Sequence, residues 1–114
     1  MRTVSTEQVQ AILEDRDSLL INVLDPEEFD RAHIPGSENV PFSEDDFVEQ
    51  VEALADDAGT PLVIYCAGPG CDASRLASHA LDRAGFTEVH HYEGGMAAWI
   101  ASMGKVDGSP RSVA

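Results

Sequence analysis

The segment from Leu62 to Ala84 constrains the fold more than any other part of the chain. The apolar run Leu62-Val63-Ile64-Tyr65 is closed by Cys66, which opens the loop Ala67-Gly68-Pro69-Gly70-Cys71-Asp72. Ala73, Leu76, Ala77, Ala80, Leu81 and Ala84 then follow helical spacing, and Gly85 stands where a helix ends on a left-handed residue. A strand that feeds a helix through a short loop is the building unit of α/β domains. A cysteine at that turn is also a candidate thiolate. Loop N–H groups, together with the unsatisfied ones of the helix's first turn, point toward the sulfur and favour its reactive anion.

The same alternation runs through the rest of the chain, with neither an internal repeat nor a linker. Ser5 and Gln8 form a capping box, Val4 and Val9 are spaced as a hydrophobic staple, and Val9, Ile12 and Leu13 supply the buried stripe of a first short helix. Leu19 to Leu24 reads as a strand buried on both faces. Asp25 and Pro26 then provide an N-cap and a first helical position for a short helix to about Ala32. The prolines and glycine of His33-Ile34-Pro35-Gly36-Ser37 and Val40-Pro41-Phe42 make an ordered loop, after which Ser43 is placed to cap a helix presenting Phe47, Val48, Val51, Leu54 and Ala55. Glu88 to Tyr92 reads as a last strand, Gly94-Gly95 as a turn, and Met96, Trp99, Ile100 and Met103 as the core stripe of a last helix ending at Gly104. Residues 1–104 therefore form one domain and residues 105–114 a polar tail. Ligands in such folds bind beyond the carboxyl ends of the strands, where Cys66 lies.

Charge narrows the partners. The chain of 114 residues carries 21 acidic against 7 basic side chains, a net charge of −14, and its one lysine is Lys105. Nucleic acid and anionic membranes are poor partners for that surface. A lysine-poor acidic surface suits concentrated salt, where screening removes self-repulsion, and this reading as halophile adaptation stands beside that of a merely acidic protein. Glu7 and Glu14 interrupt the first segment and no apolar stretch long enough for export or a bilayer follows, so the expected location is the cytoplasm. Two cysteines in a reducing compartment argue for chemistry rather than a structural bridge.

Three blocks resemble a known family. Leu20-Ile21-Asn22-Val23 with Pro26-Glu27-Glu28-Phe29 and His33-Ile34-Pro35-Gly36-Ser37 is similar to the first signature of the single-domain rhodaneses, Tyr65-Cys66 to their active-site strand end, and Glu93-Gly94-Gly95-Met96 with Trp99 to their C-terminal signature. The resemblance implies an α/β fold, a rhodanese-like five-stranded parallel sheet flanked by helices on both faces. It also implies a sulfurtransferase whose Cys66 takes a sulfane sulfur from a small-molecule donor such as thiosulfate, becomes a persulfide, and passes the sulfur to a thiol, cyanide or protein acceptor. The backbone of Ala67, Gly68, Pro69, Gly70, Cys71, Asp72 and Ala73 would hold the anionic outer sulfur. No metal or organic cofactor is expected.

The chain departs from the family pattern at Asn22 and Leu24, where Asp and Arg are usual, and in a loop about two residues longer that holds Cys71 and Asp72. Asp72 reads either as a helix cap or as an inward carboxylate that raises the thiol pKa and repels an anionic donor. Arg75 falls opposite the apolar stripe, which makes it a solvated arginine. Cys71 reads as a bystander, as a resolving thiol that attacks a Cys66 persulfide, or as the nucleophile of a shifted loop. Cys66 itself has the inert reading of a buried packing residue. His33 reads as a loop hydrogen-bonder, and His79 lies on the polar side of its helix. His90 and His91 alternate on a strand, so at most one faces inside, and their spacing from the cysteines is not that of a zinc site. A phosphatase loop needs arginine six positions after the cysteine, where this chain has Asp72. The remaining alternative is a non-catalytic module that binds a partner or senses oxidants through Cys66 and Cys71.

The acidic surface slows the approach of an anionic donor at low ionic strength. Turnover with thiosulfate is therefore expected to rise as salt is added; a flat or falling profile in a steady-state assay counts against both the screening argument and the halophile reading.

Overall fold

The computed structural model describes residues 1–14, 18–102 and 104–108. Strands β1 (Arg2–Thr3), β2 (Leu19–Asn22), β3 (Glu38–Asn39), β4 (Leu62–Tyr65) and β5 (Val89–Tyr92) alternate with helices α1 (Thr6–Leu13), α2 (Pro26–Arg31), α3 (Phe47–Leu54), α4 (Ala73–Arg83) and α5 (Gly95–Ala101). The strands form one sheet in the order β1-β5-β4-β2-β3, every neighbouring pair parallel. This is the five-stranded parallel sheet that the resemblance implied.

Two cores lie on the two faces of the sheet, as the period of two along each strand requires. Leu62, Ile64 and Cys66 point to one face, where they pack with Ile21, Val51 from α3, and Ala77 and Leu81 from α4. Val63 and Tyr65 point to the other, against Val9 from α1 and Met96 and Trp99 from α5. All four residues of β4 are buried, which is why its sequence is continuously apolar instead of alternating.

Local signals in the sequence act where expected at several element ends. Ser5 Oγ accepts from Gln8 N–H at 3.2 Å while Gln8 Oε1 accepts from Ser5 N–H at 2.8 Å, and Val4 and Val9 share one core cluster. Gly85 adopts φ +107°, and Phe86 N–H reaches Leu81 O at 3.3 Å while Gly85 N–H reaches Asp82 O at 3.2 Å. Those two bonds satisfy carbonyls that the end of α4 leaves open.

Other expectations give way to tertiary packing. Ser43 does not cap α3: residues 42–46 turn, and the helix starts at Phe47 behind Asp46, whose side chain makes no capping bond. Across this turn the Phe42 ring meets Phe47 edge-on at 5.3 Å. Leu54, placed on the buried face by spacing, is largely exposed. Asp25 sits at the α2 cap with extended dihedrals, but its main-chain carbonyl rather than its carboxylate receives the Glu28 and Phe29 N–H groups. Two-residue β3 lies inside the stretch read as loop, paired with β2. On α5, Met96 and Trp99 are buried but Ile100 is exposed, and Met103 lies outside the described residues. Beyond α5, Trp99 Nε1–H donates to Lys105 O at 2.7 Å, and Asp107 exchanges two backbone hydrogen bonds of 2.9 Å with His33.

The largest revision concerns α4. Its buried face is Ser74, Ala77, Ser78 and Leu81, whereas Leu76, assigned to the stripe by spacing, is 44% exposed. Ser78 Oγ–H donates back to the helix's own Ser74 O at 2.7 Å, and Ser74 joins the site described below. Leu81→Ala should lower the stability to urea by about 2–5 kcal/mol as a buried truncation. Leu76→Ala should change it by no more than about 0.5 kcal/mol. Equal losses would return Leu76 to the core.

Candidate active site

Cys66 follows directly on β4 and is 1% exposed. Its main chain is fixed from α5: Met96 N–H donates to Cys66 O and Ala97 N–H to Ala67 O, both at 2.9 Å. That approach requires Gly95, which adopts φ +56°; a Cβ there would overlap the Cys66 carbonyl oxygen and crowd Gly68 N at 3.0 Å. The C-terminal Gly-Gly block thus braces the cysteine loop from behind.

Past the cysteine, Cys71 N–H donates to Gly68 O at 3.0 Å and closes a turn with Pro69 at its second position. Gly68 is buried, Cys71 and Ala73 are half-buried, and Ala67, Pro69, Gly70 and Asp72 are exposed. Pro69 has no N–H, and that of Cys71 is engaged in the turn. Cys66 Sγ is 3.1 Å from Ser74 Oγ and 3.5 Å from Cys71 O, and its one S–H serves a single acceptor at a time. Ser74 Oγ is in turn 2.8 Å from Nε2 of His91, which is buried. Cys66, Ser74 and His91 form a continuous hydrogen-bonded row.

Neither Ser74 nor His91 stood among the expected site residues. Ser74 is one position beyond the stretch 67–73, and it interrupts what spacing presents as an apolar stripe. His91 is the inward member of the His90-His91 pair: Ile64 lies beside it in the sheet, on the face that Cys66 shares. The alternation of β5 carried that signal, but the sequence could not say which of the two histidines faced α4.

Burial pushes the Cys66 thiol above its ordinary value, and the Cys71 side chain adds to this, while the Ser74 hydroxyl and N–H act in the opposite direction. Desolvation disfavours the anion by more than those donors return. The resting site therefore holds a thiol, not the ready thiolate that the loop and helix alone suggested. Burial likewise pushes the His91 imidazole below its ordinary value; Glu93 opposes this, and Arg75 and His79 add to it. The ring is neutral near pH 7.

The other polar residues of the region are placed as follows. Asp72 occupies the α4 cap position without a side-chain capping bond; its carboxylate, 75% exposed, lies 3.5 Å from Arg75 Nη2 and does not face the sulfur. Both cysteines are free. Where the chain departs from the family pattern, Asn22 Oδ1 accepts from Leu24 N–H at 2.9 Å and Asn39 Nδ2–H donates to Leu24 O at 2.8 Å. His33 stacks on Phe29 at 3.8 Å, and its Nδ1 lies 2.7 Å from Phe29 O.

The fold is a parallel α/β domain with a buried cysteine at the carboxyl end of a central strand, facing the first turn of the next helix. The rhodanese-like domain pattern matches residues 5–102, and the chain belongs to that family. It is 36% identical over 88 residues to a probable adenylyltransferase/sulfurtransferase, MoeZ, of Mycobacterium tuberculosis, a match covering 77% of this chain and 21% of that protein. It is 30% identical over 99 residues to YqhL, an uncharacterized protein of Bacillus subtilis, covering 87% of this chain and 72% of that one. Among solved structures, thiosulfate sulfurtransferase from Pseudomonas aeruginosa superposes with a TM-score of 0.83 at 26% identity over 95% of this chain and 20% of that chain. The human single-domain sulfurtransferase TSTD1 shares the fold, with a TM-score of 0.76 at 23% identity over 89% of this chain and 96% of that one. The chain thus spans about a fifth of the MoeZ length.

Gly95→Ala must leave a strained left-handed conformation or push the Cys66 carbonyl away. The substitution should cost at least about 1–2 kcal/mol in denaturant unfolding and speed the reaction of Cys66 with a thiol reagent in the folded protein. Unchanged stability together with unchanged Cys66 accessibility would mean that the brace is dispensable.

Proposed function

We propose that the protein is a sulfurtransferase that moves a sulfane sulfur from a donor such as thiosulfate to a thiophilic acceptor through a persulfide on Cys66. The observation that carries this reading is the position of the sulfur: at the carboxyl end of β4, with the Ser74 hydroxyl of the first turn of α4 at 3.1 Å. In the forward step the Cys66 sulfur attacks the sulfane sulfur of the donor. Its bond to sulfite breaks, and sulfite leaves with the bonding electrons. The persulfide is held by N–H groups of the 67–73 loop and of Ser74, and a nucleophilic acceptor, whether cyanide, a thiol or a protein, takes the outer sulfur and regenerates Cys66. Family membership and the sulfurtransferase names among the relatives support this reading. The charge of −14 argues against a nucleic-acid partner. Among the described residues no helix is long and apolar enough to cross a membrane. Two free cysteines fit a reducing compartment, the cytoplasm.

A second reading rests on Cys71. Its side chain faces the Cys66 thiol closely enough to raise its pKa, a placement that suits a resolving thiol or a reversible disulfide in an oxidant sensor.

Intact mass spectrometry after thiosulfate treatment at high salt separates the two. A single added sulfur that cyanide removes, present in wild type and Cys71→Ala and lost in Cys66→Ala, is the expected result. No adduct in any variant, with a Cys66–Cys71 disulfide forming under oxidant, would replace the transferase with the sensor.

A further inference from the structure

We infer that Ser74 and His91 form a proton relay for Cys66, with His91 as the base that receives the thiol proton through the Ser74 hydroxyl while the sulfur attacks its donor. This inference rests on the sulfurtransferase reading for its place in the reaction, though not for its test. The geometry is a directed row: Cys66 Sγ to Ser74 Oγ at 3.1 Å, then Ser74 Oγ to His91 Nε2 at 2.8 Å. All three side chains are buried, at 1%, 1% and 5% exposure, so bulk water does not compete for the proton along the row. With its own hydrogen on Nδ1, His91 leaves Nε2 as the acceptor of the Ser74 O–H, and that hydroxyl's oxygen accepts the Cys66 S–H.

The bookkeeping of the step closes within the site. The S–H bond of Cys66 breaks and its proton bonds to Ser74 Oγ; the original Ser74 O–H bond breaks and its proton bonds to His91 Nε2. The sulfur's electron pair forms the S–S bond to the sulfane sulfur as the donor's bond to its leaving group breaks. Both hydrogen bonds reverse direction, so that imidazolium donates to the serine oxygen and the serine hydroxyl donates to sulfur. When the acceptor removes the outer sulfur, the Cys66 thiolate regains its proton by the same row. The groups acting on the relay from neighbouring elements are Cys71 beside the sulfur, Arg75 and His79 on α4, and Glu93 after β5. Burial holds the thiol protonated and the imidazole neutral at rest, which is the starting state that a relay needs and one in which a lone buried thiol would be unreactive.

A purely structural row, in which serine and histidine only satisfy one another, makes a different kinetic statement. A thiolate–imidazolium pair holds the same number of protons as a thiol–imidazole pair, so its population does not change with pH between the two titrations. The test is the rate at which iodoacetamide, a neutral reagent, alkylates Cys66 across pH, read on the Cys66 peptide by mass spectrometry in wild type, Ser74→Ala and His91→Gln. With the relay, wild-type rates form a plateau above the imidazole titration, which ends only where thiolate formed by loss of the proton to solvent outweighs the pair. In His91→Gln and Ser74→Ala they climb about tenfold per pH unit, as expected for a thiol that must lose its proton to solvent, and at pH 7 they are at least about tenfold below wild type. A wild-type rate that itself climbs about tenfold per unit overturns the relay, and that outcome needs no variant to fold. Sulfur loading measured on the same samples decides the transferase reading separately: a flat profile without an adduct keeps the relay and removes the transferase, and an adduct with a steep profile does the reverse.

Discussion

The site depends on the parallel register of β4 and β5. Ile64 lies beside His91 and Tyr65 beside Tyr92, so the period of two puts Cys66 and His91 on one face with Ser74 of α4 between them. A shift of one residue in either strand would send one of the two to the opposite core. Register here is held by apolar residues on both faces, since Leu62, Ile64 and Val89 belong to one core while Val63, Tyr65 and Tyr92 belong to the other. The packing that folds the domain is also what aligns its reactive groups.

Burial has two opposed consequences at this site. It excludes water from the Cys66 sulfur, which strengthens each hydrogen bond there, and it penalises the thiolate, the nucleophilic form of a cysteine. The loop offers less relief than its glycines suggest, because its turn engages Cys71 N–H and the Cys71 carbonyl faces the sulfur. What opposes the penalty comes from Ser74. The brace from α5 matters for the same reason. With Met96 and Ala97 N–H groups bonded to the Cys66 and Ala67 carbonyls, the sulfur stays 3.1 Å from the Ser74 hydroxyl.

Much of the fold was legible because its signals are local or strongly periodic. The capping box at Ser5, the continuous apolar run of β4 and the glycine at the end of α4 each depend on a few neighbouring residues. The site was legible at Cys66 and much less so around it. Ser74 faces inward to Cys66 and His91, Ser78 satisfies its hydroxyl on the helix's own Ser74 carbonyl, and a hydropathy stripe treats such buried, hydrogen-bonded serines as surface residues. Leu76 was misplaced by the same argument in reverse. Which of His90 and His91 faces α4, and that Ser43 yields to a turn before α3, follow from pairing and packing across the sheet, which no window of sequence contains.

Charge gives the row a second role. The loop after Cys66 ends in Asp72, which pairs at the surface with Arg75. A sulfur donor that releases an anion, and a persulfide that carries one, need positive charge close by. A proton moved from Cys66 to His91 leaves an imidazolium one hydroxyl away from the sulfur at the moment when negative charge develops there. The charge is absent while the site is empty and appears with the attack, so it costs no burial of a permanent cation. In a chain this acidic, a base that becomes a cation only when the sulfur reacts does the work that a fixed lysine or arginine would do elsewhere.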